Sequence, residues 1–178
     1  EHISIKNSDL VITTTPYLKK IILARYNFKK RIAVIPNWVD STVFKPSKTK
    51  KNSHSIISNG RLVASKDFLF LLKTIKSLGN GYSLTLIGSG PYKSKLTKYA
   101  ADNKIKLRIL EKVTNSSIPK LLNSSRFFVS TSKYEGQSRA ILEAMSCGIP
   151  TIATNVIGNR DTITNNENGI LTNRNSEE

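Results

Sequence analysis

The chain has 178 residues, 38% hydrophobic and 22% charged, with a formal net charge of +16 at pH 7. This composition excludes a disordered chain and suits one α/β domain with a sizeable core, or one domain and part of another. No apolar run approaches the roughly 20 residues that span a bilayer, and the single cysteine, Cys147, excludes a disulfide within the chain, which fits a reducing compartment.

The positive charge is spread along the chain. Residues 1–51 carry eleven Lys and Arg against three Asp and Glu, and residues 52–178 carry seventeen against nine, so each part contributes +8. Such a field attracts phosphates, nucleic acid or anionic lipid without choosing among them. No helix-turn-helix, zinc pattern or stacking-aromatic motif accompanies it, so specific nucleic-acid binding is not expected. The chain opens on Glu1 without an initiator Met or a signal peptide, and Glu1 reads as an internal cut.

In chain order, Asp9 to Thr14 reads as a strand. Thr15-Pro16 then reads as an N-cap followed by proline at the first helical position. Leu18, Ile21, Ile22 and Arg25 recur at helical spacing, which predicts a helix to about Tyr26. Arg31 to Ile35 reads as a second strand. Residues 36–54, with two prolines, several Ser and Thr and a Lys cluster, have the composition of a linker. From Ser55 onward strands and helices alternate. Strands are predicted at 55–59, 82–87, 105–110, 126–131, 150–154 and 169–172, and helices at 66–78, 91–102, 115–123, 138–147 and 158–165. Short apolar strands in this alternation predict a doubly wound α/β sheet, whose ligands sit beyond the carboxyl ends of its strands.

Three of the resulting loops carry chemistry. After the first strand of this series comes Asn59-Gly60-Arg61-Leu62-Val63-Ala64-Ser65-Lys66. There Gly60 permits a tight exit, and Arg61 and Lys66, the latter expected at a helix start, converge on an anion. The next loop, Gly88-Ser89-Gly90-Pro91, brings ligand and backbone close, and Pro91 is expected to open the next helix. It has Lys93 where the dinucleotide fingerprint has a third glycine, and only Glu111 stands near the place of a ribose-binding acid. This counts against a nicotinamide dehydrogenase.

The third loop begins the segment Lys133-Tyr134-Glu135-Gly136-Gln137-Ser138-Arg139 and leads to Glu143. A helix starting near Ser138 points the N–H groups of 138–140 at an anion. Glu143 falls roughly 7.5 Å along its axis, so one carboxylate stands at the mouth and a second lower on the wall. Carboxylates accept several hydrogen bonds and suit hydroxylated rings. Two of them flanking a diphosphate site match a nucleotide sugar, with a hexose at one end and a ribose at the other. Cys147, before Gly148 at the helix end, reads as a small buried residue.

These residues resemble a known family. Glu135-x7-Glu143 followed by Ala144-Met145-x-x-Gly148-x-Pro150 is similar to glycosyltransferase family 4, retaining enzymes with the two-domain GT-B fold. Ile35-Pro36-Asn37-Trp38-Val39-Asp40 with Phe44 and Pro46, Asn59 to Val63 with Lys66, Ile87 to Pro91, and Asn168 to Leu171 also resemble its blocks, in the right order. The resemblance implies a remnant of the acceptor-binding domain at 1–36, a linker at 37–54 and a Rossmann-like donor domain at 55–178. It also implies that the chain stops before the C-terminal crossover helix, and that it binds donor alone but transfers nothing.

By the same resemblance the catalytic residues are Arg61 and Lys66, which bind the donor diphosphate and offset charge on the departing nucleotide, and Glu135, which contacts donor-sugar hydroxyls near the transferred carbon. Backbone of Gly136, Gln137, Ser138 and Arg139 touches sugar and phosphate, and Glu143 holds the ribose. Gly60 belongs to the phosphate loop, Gly88 leaves room for the nucleotide, and Val113 or its neighbours line the base. No metal and no cofactor are implied. The donor is UDP- or GDP-linked, and the acceptor is a glycan or lipid-linked glycan of surface polysaccharide synthesis. The expected location is cytoplasmic, with peripheral contact to the anionic inner face of the membrane as an option. The competing expectation is a non-catalytic nucleotide-binding module or inactive paralogue. Gln137-Ser138 depart from the aromatic that often follows Glu-Gly in the family. Glu111-Lys112 replace a usual glycine, and Trp38 replaces a common one.

Overall fold

Ile56 and Ile57 are adjacent in sequence and face opposite sides of one sheet, and different helices bury each of them. This follows from the two-residue period of a strand. The computed structural model describes residues 4–5, 7–49, 51–79 and 81–174. Its main sheet has six parallel strands: β3 (Ser55–Asn59), β4 (Ser83–Ile87), β5 (Lys106–Leu110), β6 (Phe127–Ser130), β7 (Thr151–Thr154) and β8 (Ile170–Thr172). Their spatial order is β5-β4-β3-β6-β7-β8. The chain therefore builds outward from β3 to one side, returns to the centre at β6, and builds outward to the other.

On one face, α2 (Phe68–Ser77) and α3 (Lys93–Asp102) cover Ile56, Leu84 and Leu86 with Leu71, Leu72, Ile75 and Leu96. On the other, α4 (Ile118–Asn123) and α5 (Arg139–Ser146) cover Ile57, Ile87 and Phe128 with Leu122, Ile141 and Ala144. The expected doubly wound α/β sheet is thus the observed one.

Before it lies a smaller unit of β1 (Leu10–Thr13), α1 (Pro16–Tyr26) and β2 (Arg31–Val34), with β1 and β2 parallel. Thr15 caps α1 as expected, its hydroxyl accepting the Leu18 N–H at 3.2 Å, and Asn27 closes the helix in a left-handed conformation. Residues 36–49 and 51–54 contain no helix or strand. Part of this stretch is nonetheless fixed to the larger unit. Phe44 is buried with α4 and α5, and Asn123 accepts the Ser47 N–H and donates to the Lys45 carbonyl.

The helix expected at 158–165 is much shorter: α6 is only Ile157–Arg160. The Thr164 N–H donates to the Asn168 side chain at 2.9 Å rather than to a preceding turn, and Thr162-Ile163-Thr164 is a β-branched run that favours helix weakly. The helix expected from 115 opens as a 3-10 turn at Asn115–Ser117 before α4 begins. The helix expected from Pro91 begins at Lys93, with Pro91 and Tyr92 in the preceding turn. No helix among the described residues is long and apolar enough to cross a membrane. The expectation of a chain end before a crossover helix falls on residues 175–178, outside the described residues.

Candidate active site

In a sheet of this order the crevice opens where the connections diverge, beyond the carboxyl ends of β3 and β6. Both loops that leave these strands meet there and are tied to each other. The Thr131 hydroxyl contacts the Lys66 and Asp67 carbonyls at 3.0 and 3.1 Å, and the Lys133 N–H donates to the Ser65 carbonyl at 2.8 Å. The cleft between them has a volume of about 710 Å³. Its walls are Asn37, Asn59, Gly60, Arg61, Lys66, Asn115, Glu135, Gln137, Ser138, Arg139, Ala140 and Glu143. The two cations, the two glutamates and the loop from 137 to 139 therefore share one cavity, as the sequence predicts. A smaller cavity of about 300 Å³ adjoins it under Trp38 and Phe44 and shares Asn37, Asn115, Arg139 and Glu143.

Lys66 and Glu135 form an ion pair between the two loops, with side chains only 25% and 12% exposed. The Ser132 hydroxyl donates to the same Glu135 oxygen at 2.7 Å. Glu135 is thus fixed by a cation and a hydroxyl, with its second oxygen left for a ligand. The sequence places Lys66 at a helix start, but α2 begins two residues later and its N-cap is Asp67. Asp67 adopts a left-handed backbone (φ 45°) that ends the loop before the helix, so Lys66 projects from loop rather than helix. Arg61 is exposed and has no acidic partner among the described residues.

α5 begins at Arg139, preceded by Ser138 in extended backbone and with no side-chain capping bond. Its first-turn N–H groups therefore lack the usual cap and open onto the cleft, where a negative group is favoured. Glu143, one turn on, has a side chain only 9% exposed. Burial raises its pKa above the ordinary carboxylate value, opposed by the Arg139 charge and by a hydrogen bond from Asn59. The Arg139 guanidinium stands 3.8 Å away, too far for a tight pair.

Gln137 lines the cleft, but its side chain is engaged elsewhere. Its amide oxygen accepts the Asn37 N–H at 2.7 Å, while its carbonyl accepts the Asn37 side chain at 2.8 Å. The residues between the two units are thereby fastened to a loop that lines the cleft.

Two expected residues do not line the cleft. Gly88 packs against the neighbouring loop: a Cβ there would lie 2.1 Å from the Gly60 carbonyl oxygen. Its bareness serves the contact between loops 60–62 and 88–92, joined by Leu62 N–H to Ser89 and Tyr92 N–H to Leu62 at 2.8 and 3.0 Å. Val113 packs against the core beside α4, and Asn115, two residues on, takes the place at the cleft. Glu111 is paired with Lys93 at 2.5 Å.

Sequence reasoning missed Asn37, Asn59, Asn115 and Ser132. It also missed Gly158, where a Cβ would lie 2.3 Å from the Gly136 carbonyl oxygen and 2.5 Å from that of Glu135. The start of α6 thus supports the Glu135 loop from behind. A glycine inside a predicted helix was the available signal.

Comparison with known proteins gives the family and the fold. Residues 40–178 match the family model of glycosyl transferases group 1, and the chain belongs to that family. Its fold is that of GT-B glycosyltransferases. It is 32% identical over 158 residues to the UDP-Gal:alpha-D-GlcNAc-diphosphoundecaprenol alpha-1,3-galactosyltransferase of Escherichia coli, covering 79% of this chain and 41% of that protein. The crystal structure of TarM superposes with a TM-score of 0.83 at 25% identity, covering 96% of this chain and 35% of that one. A sucrose-phosphate synthase from Thermosynechococcus elongatus shares the fold at a TM-score of 0.87 and 20% identity, over 97% of this chain and 47% of that one. The chain thus spans less than half the length of these relatives.

Proposed function

We propose that the cleft is the donor site of a retaining, metal-independent glycosyltransferase of family 4, and that the six-stranded unit is its C-terminal, nucleotide-sugar-binding domain. The observation that carries the reading is the convergence of Arg61, Lys66, Glu135, Glu143 and an uncapped helix start in one cavity. Arg61, Lys66 and the N–H groups at the start of α5 take the diphosphate and offset the charge that develops on the departing nucleotide, which is the electrostatic work a metal does in other transferases. Glu135 accepts hydrogen bonds from donor-sugar hydroxyls. Glu143 accepts them from the ribose, and the backbone from Gly136 to Arg139 touches sugar and phosphate.

The donor is a UDP- or GDP-linked sugar, with UDP favoured by the galactosyltransferase relative. The acceptor is a glycan or lipid-linked glycan of surface polysaccharide synthesis, met at the cytoplasmic face of an anionic membrane. The charge of +16 supports that setting. Residues 37–54 act as the linker between the donor domain and an acceptor-binding one, represented here by residues 1–36. Transfer needs donor and acceptor held about 3 Å apart by both domains, so this chain by itself binds donor without transferring it.

Calorimetry with UDP and GDP tests the donor site. The wild-type chain is expected to bind one of them, and Lys66→Ala to lose about tenfold in affinity. Lys66→Ala with unchanged affinity, or a wild-type chain that binds neither, overturns the assignment.

A further inference from the structure

One side chain from outside both loops holds them together. Arg174 follows β8, at one end of the sheet, and reaches back behind the cleft. Its Nη1 donates to the Thr131 carbonyl at 2.9 Å, and its Nη2 to Asp67 Oδ2 at 2.6 Å. The guanidinium carbon lies 4.7 Å from the centre of the Phe70 ring, which it covers. These contacts fall on the residue that follows Lys66 and on the residue that precedes Ser132, the Glu135 partner. A single planar group therefore grips the loop after β3 and the loop after β6 at once.

The grip matters because of the conformation it supports. Asp67 is not glycine yet sits in the left-handed region, a position that a non-glycine residue keeps only when its surroundings determine it. Its carboxylate accepts the Phe70 N–H at 3.4 Å and is 3.6 Å from Lys133, so Arg174 is its closest charged partner. Burial alone would raise the pKa of Asp67. The hydrogen bond and charge of Arg174, with Lys133 behind them, hold it below the usual value, so the pair is ionised at neutral pH. The backbone turn at Asp67 sets the direction in which Lys66 leaves the loop. Nothing in the donor-site reading uses Arg174, and it does not line the cleft.

We propose that Arg174 is a positioning residue, a two-point clamp that joins the loop after β3 to the loop after β6 and holds Lys66 and Glu135 at the spacing a diphosphate donor needs, a role that rests on the donor-site reading above. The clamp depends on the forked guanidinium. A lysine keeps the charge but presents a single ammonium centre and cannot lie flat on Phe70.

The test compares the wild-type chain with Arg174→Ala, Arg174→Lys and Asp67→Asn. Asparagine still caps a helix and tolerates the left-handed backbone, so Asp67→Asn removes the ion pair with little disturbance of the turn. Two readouts are taken: amide hydrogen exchange without ligand, and calorimetric affinity for UDP and GDP. Exchange in 61–67 and 131–138 is expected to quicken together, about tenfold, at the Lys133 amide above all, while β4 and β5 keep their rates. Affinity for whichever nucleotide binds is expected to fall about tenfold in all three variants, with Arg174→Lys melting near the wild type. Rates and affinities within about twofold of wild type would overturn the clamp. So would exchange that quickens evenly across the whole sheet, or full rescue by lysine. If the wild-type chain binds neither nucleotide, the donor-site reading fails on its own, and the loop exchange still decides whether Arg174 joins the loops.

Discussion

The unit from β1 to β2 and the unit from β3 to β4 are built alike, each a strand, a helix and a parallel strand. Yet α2 buries Phe68, Leu71, Leu72 and Ile75, and α1 buries none of its residues. Ile12 and Leu10 of β1 are 58% and 47% exposed, while Ile57 of β3 is fully buried. The local grammar of caps, apolar spacing and turn residues suffices to set both units' elements. What differs is coverage. β3 lies inside a sheet of six strands with helices on both faces, and β1 pairs, among the described residues, only with β2.

The sharpest way to break this comparison is to truncate one isoleucine in each unit. Ile57→Ala leaves a cavity between β3 and the α4–α5 layer and should cost about 3 kcal/mol, read as a lowered denaturant midpoint. Ile12→Ala removes a side chain already largely in water and should stay within about 0.5 kcal/mol of wild type. Equal losses at the two sites would mean that β1 is covered in solution and that the contrast in burial is false.

A smaller effect separates the two carboxylates of the cleft. Glu143→Gln should weaken free-nucleotide binding by about fivefold to tenfold, because a ribose is present in every nucleotide and the amide accepts fewer hydrogen bonds than the carboxylate. Glu135→Gln should leave free-nucleotide affinity within about twofold and weaken only the nucleotide sugar, since its partner is the sugar. Titrating UDP and a UDP-sugar into both variants checks the division, and parallel losses for both ligands in both variants would sink it.

How much of this was legible in the sequence depends on the range of the interaction. β3 was legible to the residue because the β-branched pair Ile56-Ile57 stands between polar residues and Gly60 ends the strand, and α1 because Thr15-Pro16 is a local cap signal. The meeting of Arg61, Lys66, Glu135 and Glu143 was legible too, since parallel strands deliver all their following loops to one edge. The partners that fix those residues were not. Ser132 holds Glu135 from three residues away, but Asn37 holds Gln137 across 100 positions and Lys66 holds Glu135 across 69. Pairings at that distance leave no periodic trace. Gly88 shows the opposite limit: a glycine that one loop's approach to another requires looks, in sequence, the same as one that leaves room for a ligand. The end of α6 was hidden because a single side chain, Asn168, takes the N–H that would have continued the helix.

The smallest predicted effect concerns protons on Glu143. Burial, against the opposing Arg139 charge and Asn59 hydrogen bond, leaves its pKa above the ordinary carboxylate value. Between the unfolded value and the raised folded value, the native state binds more protons than the unfolded one. Stability therefore falls as pH rises through that window, and above it the buried charge is a constant cost. Glutamine carries no such charge. Glu143→Gln should accordingly melt slightly higher than wild type at neutral pH, and the gap should close as the pH drops below the ordinary carboxylate range, where both side chains are neutral. Nucleotide affinity should move the other way in the wild-type chain, weakening towards acid pH as Glu143 gains its proton, and this limb should be absent in Glu143→Gln. Asp67, next to Lys66 but outside the cleft lining, sets the contrast, because its lowered pKa adds stability that is present at neutral pH and lost as acid protonates it. Melting curves of the wild type paired with Glu143→Gln and with Asp67→Asn, from about pH 2 to 8, read both signs, the Glu143 window lying above the ordinary carboxylate value and the Asp67 window below it. A gap between wild type and Glu143→Gln that stays constant over that range would show that Glu143 titrates as an ordinary carboxylate, and its burial would then need another explanation.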